Sequence, residues 1–191
     1  MRIIAGVAKG RTLSSVAGAT RPTSDRAREG LFSSLMSEFG DFLGLNFLDL
    51  FAGSGAIGLE ALSRGANLVH AVEKDESAGR TIASNATLVK ASNAVGAFHH
   101  YAMSVQKFLE TPAQNKYEIV YIDPPYEFPD GDLYICLELL QAGRFLAEDS
   151  LIAVERASKR SEFTWPLGYR VLRQRNYGQA VIYYGNPSQN G

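Results

Sequence analysis

Short apolar runs alternate with helix-type patterns along most of this chain, and this alternation restricts the fold more than any other feature of the sequence. From residue 46 onward the runs are NFLDLF, LVHAVE, VGAFHH, YEIVYID and SLIAVE, and several are almost continuously apolar. Such runs are typical of strands in a parallel sheet that is covered on both faces. The stretches between them have helical patterns, over residues 56–63, 76–89, 105–109 and 133–142. Repeated βα units predict an α/β fold with a Rossmann-like, doubly wound and mostly parallel sheet.

The two ends of the chain depart from this alternation. Near the C-terminus, YRVLRQRNYGQAVIYYG has two strand patterns joined at residues 176–179 with no helix between them. We therefore predict a C-terminal antiparallel hairpin at the edge of the sheet. The pattern of residues 1–22 predicts a small N-terminal extension with a β-hairpin. A helix from Asp25 to Glu38 is predicted to follow it. Residues 23–186 are then predicted to form one domain, and residues 187–191 a disordered tail.

Size and composition exclude several classes of protein. A chain of 191 residues with 46% apolar residues suits one domain with one core. It contains no apolar run long enough to cross a bilayer, so we predict a soluble, cytoplasmic protein that does not bind membranes. Its single cysteine, Cys136, cannot form an internal disulfide, and its histidines lack a second ligand at zinc spacing. No metal site is predicted.

The charge of the chain is unevenly distributed. The net charge is only −1, but residues 1–30 carry +4 and residues 156–175 carry +5, which leaves −10 for the remainder. Two basic segments around an acidic body favour a polyanion bound along one face, with ordinary solvated surface charge as the alternative. The N-terminal side chains predicted to contact this polyanion are Lys9, Arg11, Arg21, Arg26 and Arg28.

A glycine-rich loop directly follows the first predicted strand. The sequence DLFAGSGAIGLEA places Gly53, Gly55 and Gly58 in the spacing GxGxxG. Glycines there let the backbone turn sharply into a helix and let a ligand approach the main chain closely. Glu73 ends the second strand, where an acid can accept hydrogen bonds from both ribose hydroxyls. The loop and the acid together predict a cofactor that contains a nucleoside.

Asp49 distinguishes between the cofactors that such a loop can bind. A dinucleotide lays its pyrophosphate over the turn, and a carboxylate there would repel it. S-adenosylmethionine has no phosphate, and its cationic amine and sulfonium would be favoured by Asp49. We therefore predict S-adenosylmethionine, with NAD as the alternative and a purely structural loop as a third reading. Phe51 and Lys74 are further predicted cofactor contacts, and the backbone N–H of Ala102 beside Tyr101 is the candidate contact for the adenine.

Residues 119–126, IVYIDPPY, form an apolar strand that ends in an acid, two prolines and an aromatic ring. The carboxyl ends of the strands form the mouth of the site in a doubly wound sheet, so Asp123 is expected beside the cofactor. Pro124 and Pro125 stiffen the loop and leave carbonyl groups as acceptors. Asp123 and the Pro124 carbonyl can then accept the two hydrogens of a planar amine while Tyr126 stacks on its ring. Such positioning assists methyl transfer to the amine nitrogen, and Asp123 can take its proton. A structural turn is the alternative.

The DPPY motif and the preceding DLFAGSG loop resemble those of the amino-group methyltransferases of nucleic acids. MRIIAG, KGR, RPTSDRAREGLF, GLEALSRGA and VEKD extend the likeness, over nearly the whole chain, to the 16S rRNA guanine-N2 methyltransferase family of RsmD type. This resemblance implies methyl transfer from S-adenosylmethionine to the N2 amine of one guanine in small-subunit rRNA, either free or in a partly assembled ribosomal particle. It also implies that residues 21–29 lie near the cofactor or the RNA. We expect a monomer.

Two other functions remain open from the sequence. The first is a DNA adenine-N6 methyltransferase, although sequence-specific enzymes of that class generally need an added recognition domain, for which this chain has little room. The second is an RNA-binding assembly module without catalysis.

Overall fold

The computed structural model describes residues 1–16, 24–159 and 163–188. Its centre is a seven-stranded sheet in the order β3-β2-β1-β4-β5-β7-β6. The strands are β1 Asn46–Leu50, β2 Leu68–Val72, β3 Ala97–Tyr101, β4 Tyr117–Ile122, β5 Leu146–Ala157, β6 Tyr169–Tyr177 and β7 Ala180–Pro187. The first five strands pair in parallel, and β7 pairs antiparallel with both β5 and β6. The predicted fold class and its antiparallel edge are confirmed.

Helices cover both faces of this sheet. They are α1 Asp25–Phe39, α2 Ala56–Ser63, α3 Glu76–Lys90, α4 Val105–Leu109 and α5 Asp130–Ala142. Neighbouring strand residues alternate between the two faces, so Phe47 packs with α1, α2 and α3 while Leu48 packs with α4 and α5. Helix α5 begins three residues before the predicted start. Its first turn contains Asp130 and Asp132, whose negative charges interact favourably with the N-terminal end of the helix dipole.

Helix α1 contains a glycine that its packing requires. The helix begins after Ser24, whose side chain accepts a hydrogen bond from the Ala27 N–H at 3.1 Å. A Cβ added at Gly30 would lie 2.1 Å from the ring of Tyr177 on β6. The absence of a side chain at Gly30 therefore lets α1 approach the antiparallel edge of the sheet closely.

The first sixteen residues pack against α2. Arg2 and Thr12 form an antiparallel bridge, and the side chains of Ile3, Ala8 and Leu13 are buried in the core. The Ile4 and Ala5 N–H groups donate to the Glu60 carboxylate at 2.7 and 3.0 Å. The described part of the predicted extension is thus held by long-range bonds to a helix. Residues 17–22 and 189–191 lie outside the described ranges, so the proposed domain limits and the disordered tail stay predictions.

Side chains with metal-binding or redox chemistry serve packing here. Cys136 is buried in α5, and burial raises the pKa of its thiol to about 11. His70 is buried with its Nδ1 2.6 Å from the Tyr117 hydroxyl, and burial, with a smaller contribution from His99, lowers its pKa to about 4. Within the described ranges, no group of three or more such side chains could hold a metal ion, and no helix is long and apolar enough to cross a membrane.

Candidate active site

A cavity of about 580 Å³ lies at the carboxyl ends of the parallel strands. It is centred where the strand order reverses between β1 and β4, the position at which doubly wound sheets bind ligands. Asp49, Gly53 and Asp123 all line it, so the glycine turn and the Asp-Pro-Pro-Tyr loop face one common space. This shared space is the geometric requirement for transfer between a cofactor and a second molecule.

The glycine turn has an unusual backbone. Phe51, Gly53 and Gly55 have φ angles of 62°, 55° and 74°, in the left-handed region. Two glycines adopt this region without steric cost, whereas Phe51 carries a strain of about 1–3 kcal/mol. A Cβ at Gly53 would meet no atom of the described residues within 4 Å, so this position is open to a ligand. Gly55 does not line the cavity and instead forms the N-cap of α2.

Glu73 fixes the turn from the end of β2. Its two carboxylate oxygens accept hydrogen bonds from the Gly53 N–H at 3.0 Å and from the Asp75 N–H at 2.8 Å. Each oxygen keeps a further acceptor position, which fits the paired hydroxyls of a ribose. Lys74 follows it on the cavity wall.

Asp49 lies beneath the turn and is 1% exposed. Its Oδ2 accepts a hydrogen bond from the Gly58 N–H at 2.9 Å, and a Cβ at Gly58 would collide with Val69 at 2.8 Å. Burial raises the pKa of the Asp49 carboxyl to about 7; the Gly58 N–H opposes this rise, and the charges of Asp123 and Glu73 add to it. A cation bound nearby would favour the ionised carboxylate.

Ala102, the candidate contact for the adenine, does not face the cavity. Ala102 is exposed and does not line the cavity, because the Met103 N–H turns back to the Tyr101 carbonyl at 2.9 Å. The Tyr101 ring packs against Phe108 and His70 instead of the cavity. Residues 103–106 line the cavity at the end of β3. Their position at a strand's carboxyl end is a signal that the sequence already contained.

The Asp-Pro-Pro-Tyr loop contributes all four of its residues to the cavity wall. Asp123 directly follows β4, and the Pro125 carbonyl accepts a hydrogen bond from the Phe128 N–H at 2.9 Å, which closes a tight turn. Tyr126 is 59% exposed. The Phe128 ring meets the Phe51 ring edge-on at 4.9 Å, so the loop packs directly on the glycine turn.

Strands β5 and β7 supply further cavity residues that the sequence analysis did not identify. The Glu155 carboxylate accepts a hydrogen bond from the Tyr121 hydroxyl at 2.6 Å. Arg156 is 5% exposed and donates to the Phe128 carbonyl at 3.0 Å and to Asp130 at 2.6 Å. Arg156 therefore ties the loop to the neighbouring strand. Glu155 ends the apolar run SLIAVE, and this position at the carboxyl end of a predicted strand was a sequence signal for a residue of the cavity wall.

The predicted polyanion contacts lie in different environments. Lys9, Arg11 and Arg26 are exposed, whereas Arg28 is 1% exposed. We withdraw the predicted RNA contact of Arg28, because a guanidinium so deeply buried presents no charge to a polyanion on the surface. Arg21 lies outside the described residues.

The charge of the cavity decides which nucleoside cofactor it suits. Asp49, Glu73 and Asp123 surround the turn where a dinucleotide would need to place its pyrophosphate, so the site favours a cationic cofactor without phosphate. Glu73 fits the ribose, and the open position at Gly53 allows close approach to the main chain. This fold and this charge define a class I S-adenosylmethionine-dependent methyltransferase.

Comparison with known proteins then gives the family. The model of the family described as "Conserved hypothetical protein 95" matches residues 1–186, and the chain belongs to this family, the RsmD family. "Ribosomal RNA small subunit methyltransferase D" of Escherichia coli strain K12 is 37% identical over 182 residues, covering 95% of this chain and 87% of its own length. YlbH of Bacillus subtilis is 34% identical over 182 residues, covering 93% and 94%. The solved structure of yhhF from Escherichia coli has a TM-score of 0.82 at 33% identity and covers 98% of this chain and 97% of its own.

Proposed function

We propose that this chain transfers a methyl group from S-adenosylmethionine to the exocyclic N2 amine of a guanine in small-subunit rRNA. The observation that carries the proposal is the common cavity, which Asp49 and Gly53 line on one side and Asp123 to Tyr126 on the other. The names of the curated relatives support small-subunit rRNA as the substrate class.

In this proposal, the cofactor binds at one end of the cavity and the guanine at the other. When bound, S-adenosylmethionine supplies an electrophilic methyl group on a positively charged sulfur. Asp49 offers negative charge to the cationic part of the cofactor, and Glu73 accepts hydrogen bonds from its ribose. Because Glu73 also holds the Gly53 N–H, the same carboxylate fixes both the turn and the sugar.

At the other end, the loop after β4 receives the guanine. Asp123 and the Pro124 carbonyl accept the two N2 hydrogens, which directs the nitrogen lone pair toward the methyl group. Tyr126 is exposed enough to stack on the base. The Asp123 carboxylate takes the proton that the amine releases as its new C–N bond forms. The prolines keep these acceptors in position, and positioning supplies most of the rate increase.

The target base must leave its stack to reach the cavity, which is easiest for a base in a loop or a bulge. We further propose that Lys9, Arg11, Arg21 and Arg26 contact RNA phosphates. A partly assembled ribosomal particle is the proposed form of the substrate, and the enzyme is proposed to act as a monomer in the cytoplasm.

The test is methylation with labelled S-adenosylmethionine. The substrates are small-subunit particles and naked 16S rRNA from a strain that lacks the activity, together with unmodified duplex DNA. We expect label only in the rRNA substrates, on N2 of a single guanine that mass spectrometry can map. Labelled adenine, or DNA methylation at a comparable rate, would contradict the proposal, and RNA binding without transfer would favour an assembly module.

Replacement of Asp123 by alanine tests the mechanism. The variant loses an acceptor and a proton-accepting group, so we expect the single-turnover rate to fall by about 100-fold or more. Glu127→Ala is the matched control, because Glu127 is an exposed acid of the same loop that does not line the cavity. Full activity in the Asp123→Ala variant would contradict the role given to this carboxylate.

A further inference from the structure

The loop after β4 does not by itself determine which base the cavity accepts. In the proposed function, Asp123 and the Pro124 carbonyl accept the two hydrogens of an exocyclic amine, but adenine, cytosine and guanine all carry such an amine. Stacking on Tyr126 does not separate these bases either, because every base has a flat aromatic face. A further group is therefore needed to distinguish guanine, and it must lie beside the acceptors of the amine.

Guanine differs from the other two bases at the ring position next to its amine. The N2 amine of guanine is flanked by the ring N1–H, which is a hydrogen-bond donor. The ring nitrogen beside the amine of adenine or cytosine is only an acceptor. An ionised carboxylate also only accepts hydrogen bonds. A carboxylate beside the acceptors of the amine therefore favours guanine and repels the other two bases.

Glu155 on β5 is an acid that lies beside the loop in this way. Ile122 pairs with Val154 in the parallel register of β4 and β5, so the next residues of the two strands, Asp123 and Glu155, lie side by side. Side chains at paired positions of parallel strands point to the same face, and neighbouring strands are about 4.8 Å apart. Both acids line the cavity. The Glu155 carboxylate is thus a neighbour of the group that accepts the amine.

Tyr121 holds the Glu155 carboxylate in place. Its hydroxyl donates to Glu155 Oε2 at 2.6 Å, a length typical of a hydroxyl bound to a carboxylate ion. Tyr121 is 1% exposed and Glu155 is 7% exposed, so this bond is shielded from water. A carboxylate can accept several hydrogen bonds, and the bond from Tyr121 is compatible with another from a substrate. Glu155 is therefore a fixed acceptor on the cavity wall.

We propose that Glu155 accepts a hydrogen bond from the N1–H of the target guanine and so makes the cavity selective for this base. This inference rests on the proposed function and adds the residue that determines its specificity. Asp123 and Pro124 recognise the amine, and Glu155 recognises the ring hydrogen beside it. An adenine or a cytosine with its amine at Asp123 would place a ring lone pair against the Glu155 carboxylate, which would lose water without gaining a donor.

The experiment compares guanine with 2-aminopurine at the target position. 2-Aminopurine keeps the 2-amine, but its N1 is an acceptor without a hydrogen. 16S rRNA that carries either base at the mapped position is assembled by splinted ligation and used in the form that accepts label, naked or in small-subunit particles. We expect the full wild-type chain to methylate guanine about 10- to 100-fold more efficiently in single-turnover reactions, the loss typical of a hydrogen bond to a charged group.

Glu155→Gln tests whether this residue causes the preference. The amide nitrogen of glutamine can donate to the N1 of 2-aminopurine while its oxygen still accepts from Tyr121. The ratio of guanine to 2-aminopurine methylation should therefore fall to about one or below, because transfer to guanine decreases and transfer to 2-aminopurine increases. Glu148→Gln is the matched control, because Glu148 is an exposed acid of the same strand that does not line the cavity. Its ratio should equal that of the wild type.

An unchanged ratio in Glu155→Gln would overturn the proposal, because Glu155 would then only support the fold. Equal methylation of both bases by the wild-type chain would overturn it as well, even if Glu155→Gln does not fold. Either result would leave the proposed function standing, since a guanine in rRNA is still methylated. A wild-type chain that transfers no methyl group to guanine in either form of the rRNA would overturn both the specificity contact and the proposed function.

Discussion

Asp49 shows how the surroundings of one carboxylate set its chemistry. The sequence predicts a negative charge near the glycine turn, and the structure adds that burial brings its pKa to about 7. The carboxyl is therefore only half ionised near neutral pH. A cation lowers this pKa by favouring the charged form, so cofactor binding and proton release are coupled.

This coupling predicts that affinity for S-adenosylmethionine increases with pH between about pH 5.5 and pH 7. The pKa of Asp49 is raised, so the carboxyl is mostly neutral at the lower limit and offers no charge to the cofactor. The ionised fraction increases roughly tenfold over this range, while an α-amine stays protonated. We expect a similar increase in affinity by calorimetry. Asp49→Asn should bind weakly with little pH dependence, and a variant that kept the wild-type slope would assign the titration to another group.

Arg28 and Ala102 show where sequence reasoning at single positions fails. The position of Asp49, Glu73 and Asp123 on the cavity wall could be predicted, because each stands at or near the carboxyl end of a recognisable strand. The burial of Arg28 depends on the Arg2 carbonyl and on the packing of a distant segment, neither of which has a sequence signature. The exclusion of Ala102 from the cavity wall depends on a single bend after β3, which the sequence pattern does not indicate.

Helix α1 and strand β6 are fitted to each other through Gly30. Taken alone, this glycine lowers helix stability by about 1 kcal/mol relative to alanine. The Tyr177 ring occupies the space that a side chain would need, so tertiary packing outweighs helix propensity here. The sequence could predict the helix, but not the neighbour that explains its glycine.

Gly30→Ala should therefore destabilise the protein although it raises helix propensity. We expect a loss of about 1–3 kcal/mol in the free energy of unfolding, as for other overpacked positions, measured by urea denaturation. Gly131→Ala in the first turn of α5 is the control, because a Cβ there would meet no described atom within 4 Å, and it should be neutral or stabilising. Equal stabilisation of both variants would show that Tyr177 moves away without cost.

The loop after β4 is held by Arg156 of β5, and this predicts a defect in catalysis rather than in cofactor binding. Arg156→Met removes the donors to the Phe128 carbonyl and to Asp130, so the loop loses its fixed position. We expect the single-turnover rate to fall by about 10- to 100-fold while the Kd for S-adenosylmethionine stays the same. Arg175→Met, at an exposed position of β6, should leave both unchanged. A rise in Kd equal to the fall in rate would argue that Arg156 serves the cofactor instead.

The N-terminal hairpin, residues 1–13, runs along the layer formed by α2 and α3. Its tip, which carries Lys9 and Arg11, lies at the end of this layer away from the cavity, whereas Met1 at its base lines the cavity. The start of α2 lines the cavity, whereas its last residue, Ser63, accepts a hydrogen bond from the Val7 N–H. Arg11 donates to Ser92, just beyond the end of α3. An RNA that contacts both the hairpin tip and the cavity must extend along this layer.

The double variant Lys9→Gln, Arg11→Gln should consequently weaken rRNA binding and leave affinity for S-adenosylmethionine unchanged. Removing one cation that neutralises a phosphate lowers the dependence of log K on log salt by about one unit, so the slope should fall by about two. Lys116→Gln, Arg144→Gln is the charge-matched control, because both residues are exposed and precede strands at the edge away from the cavity. Equal weakening in the two double variants would indicate a general charge effect.

The overall architecture was accessible from the sequence because apolar runs and helical patterns alternate regularly from residue 46 to residue 157. The packing of the first sixteen residues into the core was not accessible from the sequence. Ile3, Ala8 and Leu13 are each at most 2% exposed, but their burial depends on hydrogen bonds from Ile4 and Ala5 to Glu60, more than fifty positions away. Local patterns carry no information about such pairings.

The hydrogen bonds around the glycine turn have a consequence for turnover. Glu73 holds Gly53, and the Asn85 side chain donates to the Ser54 carbonyl at 3.0 Å, so protein groups on two sides fix this segment. Little conformational entropy remains to be lost when a cofactor enters, and successive molecules can exchange without rebuilding the binding surface. Cofactor association should therefore be rapid and follow single-phase kinetics. Differences in affinity between the cofactor and related molecules should lie mainly in their dissociation rates.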